Sequence, residues 1–201
     1  MMTDATDIET LFTLTAHPQM DAPVASTTYH PSSLQFLEQI HRKKSDLLKQ
    51  VINTQGWPHP TSHNGHAEAT AFLIVQHADY DPDFQRQCHA IMVALAPSGK
   101  ASLGFLAFLT DRILCNEGRH QRFGTQVREV ENGCFVPKAI EQPERVDELR
   151  MQAGIAETLS DYLNRVNSGD MLLCRPLLNG FAEELEQQKE NKVLEFPGNP
   201  H

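Results

Sequence analysis

Apolar side chains recur every three or four residues over most of the chain, and this period predicts a mainly helical fold. Ser33 is a residue type that caps helix starts, and after it Phe36, Leu37, Ile40, Leu47, Leu48, Val51 and Ile52 mark a long first helix. Arg42, Lys43 and Lys44 are assigned to its wet side. The stretch from Gly56 to Gly65 holds two prolines and two glycines, so it is expected to be a structured loop. A second helix follows from about His66 to Ala78, with Ala67, Ala71, Ile74, Val75 and Ala78 on one face. Asp79-Tyr80-Asp81-Pro82 ends it and caps a third helix, marked by Phe84, Cys88, Ile91 and Leu95. Ser102 opens a fourth, which runs through Leu106, Ala107, Ile113 and Leu114 to about Glu117, where Gly118 stops it.

The period then changes. Residues from Phe123 to Val130 suit a strand, Asn132-Gly133 is a hairpin dipeptide, and Cys134-Phe135-Val136 returns, so one β-hairpin is expected at about 123–137. Two short helices, 143–153 and 156–167, meet at Gly154. The expected architecture is a compact helical domain over 33–167 carrying that hairpin. A polar, partly ordered extension (1–32) precedes it. After it, 168–201 forms an amphipathic helix and tail, with Leu177, Leu178, Phe181 and Leu185 as a stripe suited to homodimer contact.

Composition narrows the partners. Seventeen Lys and Arg against 26 Asp and Glu give a formal charge of -9, which lacks the positive field that nucleic acids or anionic membranes require. Apolar residues at 40% mark a globular chain. The first 20 residues contain no Lys or Arg, and the longest clean apolar run is Ala71–Val75, so neither a signal peptide nor a membrane span is expected. Four cysteines without CxxC spacing are read as reduced thiols of a cytoplasmic protein.

Candidate chemistry lies where polar residues interrupt apolar helices. Gln76-His77-Ala78-Asp79 ends the most apolar helix. His77 there is read as a general acid or base oriented by Asp79, or as a core histidine beside a helix cap. Asp111 and Arg112 adjoin in the fourth helix and point about 100° apart, so each needs an external partner. Arg112 would hold an anionic group and Asp111 a histidine, unless both serve an internal salt-bridge network. Gln121, Thr125 and Gln126 flank Gly124 and offer donors and acceptors suited to an amide or amino group. Trp57 either walls a pocket or plugs the core. His59, His63 and His66 form a spacing suggestive of a metal, but His59 and His63 lie in a loop with no helical register to fix them. With no GxGxxG, Walker loop or GxSxG elbow, no organic cofactor is expected.

The order Trp57-Pro58, Gln76-His77-Ala78-Asp79, Asp111-Arg112, Gln121 with Gly124-Thr125-Gln126, and Arg150 with Gly154 resembles a bacterial family described as a domain of unknown function. That resemblance implies no activity, cofactor or catalytic residue. The residues themselves suggest a small cytoplasmic enzyme using acid-base chemistry, whether hydrolysis, elimination or cyclisation. Its substrate would be small and polar, amino-acid-derived or peptide-like. The alternative is a non-catalytic binding or immunity-type interaction module in which the same polar network is structural.

Overall fold

The computed structural model describes residues 31–59, 66–130 and 133–167. Within them six helices and one two-stranded antiparallel sheet form a mainly helical fold. The amino-terminal extension, His63, and the amphipathic carboxyl-terminal helix with its proposed dimer contact lie outside the described residues.

Helix α1 (Pro31–Gln55) buries Leu48 and Val51 as its period requires. Lys44 departs from expectation: it is 4% exposed rather than on the wet face, and burial pushes its ammonium below the ordinary lysine value. Gly56 adopts φ 82° and lets the chain leave α1 toward the buried Trp57. Helix α2 (His66–Gln76) is buried along most of its length, including Ala71, Phe72, Ile74 and Val75, and makes the centre of the core. Its Glu68, 2% exposed, accepts the Ser102 backbone N–H at 2.6 Å and so ties α2 to the start of the helix that follows Ser102.

Helix α2 stops at Gln76, two residues earlier than its pattern predicts. The reason is a buried side chain of the next helix. The Gln85 amide donates to the carbonyls of Val75 (3.1 Å) and Gln76 (3.5 Å), so the last turn of α2 needs no further helix to satisfy them. Asp81 then caps α3 (Pro82–Leu95) by accepting the Phe84 N–H at 3.1 Å, with Pro82 in the first turn. Lys49 of α1 reaches the same carboxylate at 2.8 Å. Ser102 caps α4 (Leu103–Asn116), and Phe105 of α4 stacks on Phe72 of α2 at 4.5 Å.

The hairpin pairs β1 (Val127–Glu129) with β2 (Phe135–Pro137), Arg128 opposite Val136. Its strands are shorter than predicted because residues 121–126 form a clamped loop instead. A second apolar cluster, Val146, Leu159, Tyr162 and Leu163, joins α5 (Val146–Gln152) and α6 (Leu159–Val166) to that loop. Cys88 and Cys115 are free thiols, but Cys134 is disulfide-bonded, which corrects the expectation of reduced thiols at that position. Among the described residues no helix is long and apolar enough to cross a membrane.

Candidate functional site

The turn after α2 aims Asp79 at α4. Arg112 grips its carboxylate with two guanidinium nitrogens, Nε to Oδ1 at 3.0 Å and Nη2 to Oδ2. Asn116 donates to Oδ1 at 2.7 Å and Gln85 at 3.1 Å, while Arg112 Nη1 extends to Gln126 Oε1 at 3.3 Å. Burial pushes the Asp79 carboxyl up, and the Arg112 pair with the two amides outweighs it, holding the group below the ordinary aspartate value. Arg112 thus has an internal anion, and Asp79 is a strut between α2, α3 and α4.

Asp111 is wholly buried and faces the loop after α4. Its oxygens accept the backbone N–H groups of Arg122 (2.7 Å), Phe123 (3.1 Å) and Thr125 (3.0 Å), and the Thr125 hydroxyl at 3.0 Å. Burial raises this carboxyl and those hydrogen bonds lower it, with burial the larger. Each of these neighbours donates, the pattern an ionised carboxylate satisfies. Gln121, also wholly buried, closes the loop: its amide donates to the carbonyls of Gln126 (2.9 Å) and Lys138 (2.8 Å), and its Oε1 accepts the Gln126 N–H at 2.8 Å. Arg150 donates from below to the carbonyls of Phe123 (2.9 Å) and Glu157 (2.8 Å), and the Tyr162 hydroxyl to that of Thr125 at 2.9 Å. Gly124, at φ 67°, completes a turn packed so tightly that a Cβ there would lie 2.8 Å from Leu159 Cδ1.

Asp79, Arg112 and Gln126 therefore meet in one cluster, and Asp111, Gln121 and Thr125 in another beside it. His77 stands elsewhere: its half-buried ring packs against that of His41 at 5.3 Å between centroids. Gln76 is half buried at the end of α2, and Trp57 is 5% exposed within the main core, where it packs as a plug rather than a pocket wall. His59 is half buried and His66 exposed. Among the described residues no three His, Cys, Asp or Glu side chains gather in a metal-binding group.

The clamped loop has a second effect: it holds Arg122 and Phe123 against α3, α4 and α5 around an open pocket of about 400 Å³. Val93, Leu103, Leu106, Phe123 and Leu149 give it apolar walls, and Val93 and Leu103 remain about half exposed there. Its polar lining is His89, Thr110, Arg122 and Gln152. Among the described residues Arg122 has a loose ion pair, Nε to Glu141 at 3.8 Å, and lies over the Phe123 ring. His89 Nε2 is 3.0 Å from the Thr110 hydroxyl, and burial pushes its ring below the ordinary histidine value.

These lining residues escape sequence reasoning because His89 and Thr110 lie 21 positions apart on two helices and carry no spacing signal. The available hint is one polar residue within each apolar stripe, His89 before Val93 and Thr110 after Leu103 and Leu106. No curated protein and no solved structure matches the chain. A family model does match, over residues 21–172, and by it the chain belongs to DUF6624, a family of unknown function.

Proposed function

We propose that the chain is a non-catalytic binding domain whose motif residues hold the loop beside a pocket, and whose ligand is a small amphipathic anion. The observation that carries this reading is the open pocket of about 400 Å³, apolar on its walls and bearing the loosely paired Arg122. In a chain of net charge -9, a guanidinium whose carboxylate partner stands off at 3.8 Å is a natural anchor for an anionic group. The residues first suited to catalysis have other tasks. Arg112 is engaged by Asp79 and Gln126, and Asp111 by loop backbone, which supports a structural task for both.

Acid-base catalysis on an amino-acid-derived substrate is the second reading, and His89 on the pocket wall is what favours it. The compartment is part of the same proposal: the free thiols of Cys88 and Cys115 favour the cytoplasm, and the disulfide at Cys134 weighs toward oxidising surroundings.

Isothermal titration of the full chain with sodium octanoate and with octanol tests the binding reading. Octanoate binds more tightly, and Arg122→Gln removes its advantage. No octanoate binding at millimolar concentration overturns the reading.

A further inference from the structure

Thr110 decides which nitrogen of His89 carries the hydrogen. Its hydroxyl oxygen lies 2.7 Å from the Leu106 carbonyl and 3.0 Å from His89 Nε2. A carbonyl only accepts, so the single hydroxyl hydrogen points to Leu106, and Nε2 must donate to the Thr110 oxygen. Burial favours the neutral ring, which leaves Nδ1 as a bare lone pair. The hydrogen bond that His89 makes to Thr110 uses Nε2 and leaves Nδ1 outside it.

Gln152 adds a second acceptor. Its amide nitrogen is held by Glu148 at 2.9 Å, so its carbonyl oxygen is the end left to a ligand. The pocket therefore combines two acceptors, one cation and apolar walls, and a complementary ligand has a donor, an anion and an apolar body.

We infer that the ligand of this pocket is an N-acylated amino acid or a compound of like chemistry, with its N–H donated to His89 Nδ1, its carboxylate on Arg122 and its acyl chain against Leu103, Leu106 and Phe123. This rests on the binding reading above and specifies its ligand. The same donor-acceptor fit explains why octanol or octanoate alone would underuse the site.

Two probes differing in one group test it: N-octanoylglycine, and O-octanoylglycolate, in which an ester oxygen replaces the N–H. Titrated into the full chain, N-octanoylglycine binds roughly three- to tenfold more tightly, the worth of one hydrogen bond to a neutral acceptor. In His89→Phe the preference disappears, provided the variant retains its helical circular dichroism. The comparison on the unmodified chain stands without the variant. Equal affinity of the two probes, or binding of octanoate alone, overturns this inference and leaves the binding reading intact. Failure of octanoate to bind at millimolar concentration overturns both.

Discussion

A carboxylate with no exposed surface persists only when donors fill its lone pairs, and Asp111 meets that condition entirely from a loop eleven to fourteen residues ahead. An amide at this place turns an acceptor into a donor facing backbone N–H groups. Asp111→Asn is therefore expected to cost about 2–4 kcal/mol, read as a lower midpoint in urea unfolding. A catalytic Asp111 would instead leave stability nearly unchanged. Gln85 is the parallel case at the end of α2, where its amide serves two carbonyls and the Asp79 carboxylate. Gln85→Leu keeps the volume and removes this donor from the buried end of α2, for a loss of about 1–3 kcal/mol by the same measurement.

At the scale of elements, two helix starts were legible because their signals are local, whereas Ser33, expected to cap α1, lies inside a helix that already runs from Pro31. Ser102 caps α4 and Asp81 with Pro82 starts α3, as their side chains dictate within one turn of chain. Where α2 ends was not legible, since the deciding group is Gln85, nine residues beyond. The hairpin was legible, and its strands pair across Glu129 and Phe135, yet the first strand came out at three residues because Gln121, Asp111 and Arg150 take the backbone of 121–126 into a clamp. Polar residues in apolar helices stand out in the sequence, but sequence does not say whether a partner will be internal. Asp79 and Arg112 found each other from 33 positions apart. The clamp itself is testable at Gly124, where φ 67° and the nearby Leu159, Ile140 and Val146 side chains oppose any Cβ. Gly124→Ala is expected to lower stability by about 1–2 kcal/mol and to weaken pocket binding, because the loop it loosens carries Arg122.

For the whole molecule, two half-buried imidazoles govern stability at mildly acid pH. Burial lowers His41, with Lys44 adding to the effect, and burial lowers His89. The unfolded chain keeps the ordinary value of 6.5 at both, so it binds more protons than the native state once pH falls below that value. Their contribution is thus full above 6.5 and is lost as pH drops through it toward the lowered native values. The melting temperature is expected to be level from about pH 8 to 7 and to fall by about pH 5.5, before most carboxylates titrate. The double variant His41→Gln/His89→Gln should show a shallower fall, and an unchanged slope would assign the effect to other groups.

The central claim is a separation of tasks: the motif cluster around Asp79, Asp111 and Arg112 holds the fold, and the pocket of His89, Thr110 and Arg122 takes the ligand. Titrating N-octanoylglycine into the isotopically labelled full chain and mapping amide shifts by nuclear magnetic resonance tests it directly. The account predicts that shifts concentrate on α3 near His89, α4 near Leu106 and Thr110, Arg122 and Phe123, and α5 near Leu149 and Gln152. Shifts centred on His77 and Asp79, with the pocket silent, would contradict it.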